Sequence, residues 1–150
     1  MFTEVTSDNV KEQVLFILNN YWNNNYTGFS FPLPSSVNIK RENLIEMKNG
    51  NYIFTKKEVN SRRAVFMLYE DQELNHKQYL ILKDSTVLET NFTISDYYFK
   101  GSIFDVSFID DTLVVYDVFM VGGYKVNNMD HLNRFAMTKN FTDGIEKINS

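Results

Sequence analysis

"SIFDVSFIDDTLVVYDVFMVGG", Ser102 to Gly123, is the stretch whose reading decides the fold. "SIFDVSFI" and "TLVVYDVFMV" are dense in Val, Ile and Phe, the residue types that fit a pleated, half-buried surface. Asp110-Asp111 between them is a turn signal, and Gly122-Gly123 closes the second run. The segment therefore predicts a β-hairpin. The same grammar continues upstream in "YIFTKK", "AVFMLYE", "QYLILK" and "TVLET". Asn49-Gly50, the stretch from Asp71 to Lys77, and Asp84-Ser85 separate these runs. Such spacing predicts a twisted antiparallel meander.

Helices are expected at the two ends. Val10, Val14, Ile17, Leu18 and Tyr21 recur at helical spacing, so "VKEQVLFILNNYWNN" reads as an amphipathic helix. Asn9 with Glu12 three residues on resembles a capping box, and the asparagines at 23 to 25 are expected to end the helix. Pro32 and Pro34 in "GFSFPLPSS" impose extended backbone and remove donors, which predicts an ordered crossing segment. "NNMDHLNRFAM" predicts a second helix with Met129, Leu132, Phe135 and Ala136 on one side; "TKNFTDGIEKINS" is left as a short helix or a frayed tail. No repeat or linker interrupts the chain. The expectation is one α+β domain over residues 1–150.

Composition narrows the chemistry. The 150 residues include no cysteine and two histidines, His76 and His131, which removes thiolate sites and argues against a His-rich metal centre. A formal charge of −4, from 15 basic and 19 acidic side chains, argues against a protein held to nucleic acid by broad phosphate neutralisation, and no DNA-specific binding is expected. The start, "MFTEVTSDNV", lacks the basic flank and apolar core of a signal peptide, and no apolar run reaches spanning length. An intracellular chain, cytoplasmic or nuclear and away from membranes, is the expectation.

The order of the remaining motifs is informative. A Pro-containing crossing, a strand ending in Lys56-Lys57, the Arg62-Arg63 pair, two hairpins, then "VVYDVFMVGG" and a downstream Arg134 follow one another. This order resembles the nucleotidyltransferase domain of messenger-RNA capping guanylyltransferases, relatives of the ATP-dependent DNA ligases. "FPLPSSVNIKRENLIEM" looks like that family's entry segment, and "NYIFTKKEVNSRR" sits where it has a strand ending in K-x-D-G-x-R. "FKGSIFDVSFIDDTLVVYDVFMVGG" sits where it has D-G-E followed by a strand with a Tyr-Asp or Phe-Asp pair. The resemblance covers roughly residues 28 to 137.

In that family the motif lysine attacks the α-phosphate of GTP and carries GMP covalently, which needs an amine deprotonated more easily than usual. Alignment from Tyr52 places Lys57 on that lysine and Arg62 on the motif arginine, with Val59 replacing the aspartate and Asn60 the glycine. A register shifted by one keeps Asn60 on the aspartate and Arg63 on the arginine but puts Glu58 on the nucleophile. Both registers stay open. Lys100-Gly101-Ser102 stands where D-G-E belongs, and Ser102 cannot replace the charge of that glutamate. Asp117 matches the family's strand acid or its neighbour, and Arg134 the arginine that follows. The chain ends before the family's later motifs and its OB-fold domain.

The resemblance implies a shortened nucleotidyltransferase-like core that has lost catalysis, similar also to the cap-binding domain of the snurportins. Its expected function is non-catalytic binding of a nucleotide or RNA 5′ cap. Lys57, Arg62, Arg63, Asp117 and Arg134 are the candidate ligand-binding residues, and Tyr69, Tyr79, Tyr97, Tyr98, Phe99 and Tyr116 could include a base-stacking platform. No catalytic residue, metal or cofactor is expected. Each signal has a plainer reading: Lys56-Lys57 as a solvated strand end, the aromatics as core, and Asp105 or Asp117 as a buried acid bonded to Arg134. A subunit docking on a capping or transcription enzyme is the alternative function. An active transferase would need Lys57 as nucleophile, with Mg²⁺ or Mn²⁺.

Overall fold

The computed structural model describes residues 2–22, 62–110, 112–126 and 128–149. Among them an antiparallel sheet forms from β1 (Thr3–Glu4), β2 (Arg62–Glu70), β3 (His76–Leu82), β4 (Val87–Glu89), β5 (Ser102–Ile109), β6 (Thr112–Val121) and β7 (Tyr124–Lys125). Helix α1 (Asp8–Trp22) precedes β2, and helix α2 (His131–Asn149) follows β7. The fold is α+β, as the sequence predicts. "YIFTKK", the proline segment, Lys56, Lys57 and Glu58 lie outside the described residues.

The sheet order, β1-β4-β3-β2-β5-β6-β7, differs from a single meander. Two meanders, β2-β3-β4 and β5-β6-β7, meet where β2 pairs with β5, and the chain crosses from the β4 side to β5 through residues 90–101. Gln78 holds the start of that crossing: its side-chain carbonyl accepts from Thr90 Oγ1 at 2.6 Å and Phe92 N at 2.9 Å, and its amide donates to Phe92 O at 2.9 Å. A side chain thus supplies the pairing that a further strand would have supplied. A short 3-10 helix, Asp96–Lys100, then delivers the chain to β5.

Being central, β2 buries both faces. Ala64, Phe66 and Leu68 join Phe104, Val106 and Phe141 of α2 in one core, and Val65, Met67 and Tyr69 join Ile103, Val14 and Leu18 of α1 in the other. Alternation of side chains across the strand makes the separation automatic. Phe2 closes the first core at its margin, its ring 5.8 Å from that of Phe92 and 5.7 Å from that of Phe108.

The helix boundaries correct two expectations. Ser7, not Asn9, opens α1: its Oγ accepts from Val10 N at 3.4 Å, and its carbonyl accepts from Lys11 N at 3.0 Å. The Ser7 hydroxyl meets the N–H three residues on, so the cap stands two residues earlier than the Asn9 box would place it. The second helix is one unbroken element through Asn149, and its buried side carries Met137, Thr138, Phe141 and Ile145. Leu132 and Ala136, expected inside, face solvent because Phe141 sets the rotational phase.

Gly101 fixes the entry to β5. Its φ of 126° and ψ of 103° lie in a region essentially closed to L-residues, and its carbonyl accepts from Gly123 N at 2.8 Å. A Cβ there would stand 3.0 Å from Met120 Cε. Gly101→Ala is expected to lower stability by about 2 kcal/mol, read from the urea midpoint. An unchanged midpoint would mean the turn accommodates an ordinary residue.

Candidate functional site

The face of the sheet that carries α1 is apolar along Val65, Met67, Tyr69, Ile81 and Ile103, and becomes charged toward the start of β2. Arg63 lies on that face by alternation with Val65. Its Nε donates to Asp105 Oδ1 at 3.0 Å while a second guanidinium nitrogen donates to Oδ2, a two-pronged ion pair. The two residues are 42 apart in sequence and meet because Val65 stands opposite Asp105 in the β2–β5 register.

Across the next strand pair Asp105 stands opposite Asp117. Like charges directly opposed destabilise a sheet unless each is answered. Arg134 answers Asp117: its Nε donates to Oδ1 at 3.1 Å, and Nη1 donates to Met129 O at 3.0 Å, anchoring the guanidinium at the start of α2. The result is a row, Arg63, Asp105, Asp117, Arg134, that runs from β2 across β5 and β6 to α2. Burial pushes the Asp105 carboxyl above its ordinary value, the Arg63 guanidinium pulls it back, and the Asp117 charge adds to the upward push.

β6 reaches this row through two bulges. The register slips by one residue at Tyr116 and again at Phe119. A bulge puts two successive residues against one partner, so Tyr116 joins Asp117 on the α1 face, and Phe119 joins Met120. Tyr116 lies next to the charge row, with its hydroxyl 2.8 Å from Ser107 Oγ, and Ser107 is the cross-strand partner of Arg63. The ring is 40% exposed.

The sequence-predicted residues divide as follows. Arg63, Asp117 and Arg134 come together in one row. Arg62 points elsewhere, its guanidinium carbon 5.9 Å from the centre of the Phe108 ring. Of the candidate aromatics, Tyr69, Tyr79 and Phe99 are buried, Tyr98 packs edge-on against Phe141, and Tyr97 and Tyr116 remain exposed. Ser102 is fully buried; its Oγ donates to Tyr98 O at 2.7 Å and accepts from Gly122 N at 3.1 Å. Asp105, expected as a possible partner of Arg134, bonds Arg63 instead. The signal that could have found it is its phase, shared with Arg63 across a strand pair whose register the hydrophobic alternation fixes.

Among the described residues no group of three or more His, Asp or Glu side chains is placed to hold a metal ion. No described helix is long and apolar enough to cross a membrane. The sequence matches no known protein-family model, and no curated protein matches it. What fold and site define is therefore a class by architecture: an α+β domain with two neighbouring, half-buried Arg–Asp pairs on adjacent strands of its sheet.

Proposed function

We propose that this domain is a non-catalytic binding module for a nucleotide or RNA 5′ cap, a guanylyltransferase-like core retained for ligand contact. The observation that carries the reading is Tyr116, an exposed ring held by Ser107 beside a row with a guanidinium at each end. A ring fixed by its hydroxyl offers a stacking face at little entropic cost, and a guanidinium grips phosphate oxygens in pairs. Loss of catalysis fits Ser102, whose hydroxyl is committed inside the fold where the family places a glutamate. No metal or cofactor is required.

The test is a titration of the purified chain with GTP, ATP and a capped dinucleotide, followed by mass spectrometry after incubation with Mg²⁺ or Mn²⁺. Saturable binding without a mass shift is the expected result. Tyr116→Ala should then weaken binding about tenfold, the worth of one stacked base. A GMP-sized adduct lost in Lys57→Ala would make the chain an active transferase.

A second reading, a subunit docking on a capping or transcription enzyme, is favoured by one observation. Among the described residues no strand pairs with the outer edge of β6 from Thr112 to Val118. Such an edge is a template for an added strand. Neither binding nor adduct in the titration would favour this reading.

A further inference from the structure

The turn between β2 and β3 spends conformational energy without a return inside the fold. Leu74 N donates to Asp71 O at 3.0 Å, and Asp71 N to Asn75 O at 3.0 Å, so a tight turn is followed by one residue in the left-handed region, Leu74 at φ 62°. The Asp71 carboxylate accepts from Glu73 N and Asn75 N, each at 2.9 Å, and locks the turn. The β3–β4 turn is built alike, with Ser85 at φ 72° and Thr86 N donating to Asp84 Oδ1 at 3.0 Å. In the β5–β6 turn Asp110 takes φ 51°.

Glycine or asparagine is the usual occupant of such a position, and short polar residues tolerate it. Ser85 and Asp110 conform; Leu74 does not. A leucine is justified at a strained position when burial repays it, yet Leu74 is 73% exposed. Asn75, better suited to the left-handed region, stands one position away. The fold gains nothing from this leucine.

We infer that Leu74 is a recognition knob, presented by a rigid turn to an apolar pocket with a basic rim on a partner protein. The rim follows from the charges around the knob. The Asp71 carboxyl is held below its ordinary range, first by the backbone N–H of Asn75, and is ionised; Glu73 adds a second acid, and Lys77 is the nearby cation acting on Asp71. Two acids beside one exposed leucine repel nucleic acid, an anionic membrane surface and a second copy of the same turn. The occupant this charge pattern fits is a partner protein that is basic around a pocket of leucine size. The inference stands independently of the proposed ligand site.

The test uses the whole chain in two steps. Leu74→Gly and Leu74→Asn relieve the left-handed strain, so their Tm should equal that of the wild type or exceed it by about 2 °C. A fall in Tm would show that Leu74 packs into the fold and would overturn the inference. In the second step, p-benzoylphenylalanine replaces Leu74, the chain is irradiated in extract of the cells that produce it, and the cross-linked protein is identified and purified. Titrated against that protein, the wild type should bind at least tenfold more tightly than Leu74→Gly, with affinity that falls as salt rises. Equal affinity for the two, or no cross-link from position 74, would overturn it.

Discussion

Phe141→Ala is expected to cost about 3–5 kcal/mol of stability and to free α2 from the sheet. The ring is fully buried, stacked on Phe104 with centroids 4.0 Å apart and planes at 12°, and met edge-on by Tyr98 at 4.7 Å. Alanine would remove all of these contacts and leave a void between helix and sheet. Among the described residues, Met137, Thr138 and Ile145 complete the buried side of α2, and Arg134 ties its start to Asp117. Its sequence includes Asn133, Thr138, Asn140, Thr142 and Gly144, all weak helix formers, so its order depends on tertiary packing more than on propensity. Urea unfolding should show the lowered midpoint, and amide exchange in the 131–149 segment should accelerate beyond the global change. Phe141→Leu keeps most of the volume and should lose only about 1 kcal/mol. A loss below about 1 kcal/mol in Phe141→Ala would mean that the helix is held elsewhere.

Much of this architecture was legible because two-residue alternation and helical periodicity act locally. The hairpin of β5 and β6 matches its predicted bounds, since "SIFDVSFI" and "TLVVYDVFMV" contain no competing signal. Local reading fails where a tertiary partner decides. Strands β1 and β7 are two residues each, too short to carry a period, and exist because β4 and β6 offer an edge. The crossing between β4 and β5 looks like turn sequence, and its order comes from the side chain of Gln78, more than ten residues away. Of the expected face, Met129 precedes α2 and does pack against the core, whereas Leu132 and Ala136 face solvent because the helix turns Phe141 to the sheet.

The site was legible in its residues and not in its pairing. The pairing of an acid in "VVYDV" with Arg134 follows the expectation, because strand, glycine turn and helix return the chain close to its starting edge. The Arg63–Asp105 pair depends on the β2–β5 register across residues 71–101, which no short window contains. Bulges at Tyr116 and Phe119 decide which side chains share a face with the row, and nothing in the composition of β6 announces them. Lys57 and the choice between the two motif registers lie in the segment outside the described residues, so the resemblance rests on the order of motifs.

Arg63→Ala should make the stability of the chain depend on pH. Removing one partner of a buried pair costs about 3–5 kcal/mol, because the charge left behind is neither solvated nor answered. Asp105 is that charge: its side chain is 6% exposed, against 27% for Arg63, and Asp117 faces it. Burial already raises its pKa above the ordinary 3.8 with Arg63 present. Without Arg63 both downward influences vanish and the value rises further. Between 3.8 and that raised value the folded chain binds a proton that the unfolded chain has released, so stability falls as pH rises through this window. Below 3.8 both states are protonated and the penalty is absent. The deficit of Arg63→Ala should therefore be smallest in acid, grow as pH rises, and level off once Asp105 ionises in the folded state. Asp105→Asn should cost less at neutral pH, because the half-exposed Arg63 turns to water. The double variant, Arg63→Ala with Asp105→Asn, should recover stability relative to Arg63→Ala alone and lose the pH dependence. Urea midpoints of the four chains from pH 4 to pH 8 decide it. A deficit in Arg63→Ala independent of pH, or no recovery in the double variant, would mean that Asp105 does not govern the row.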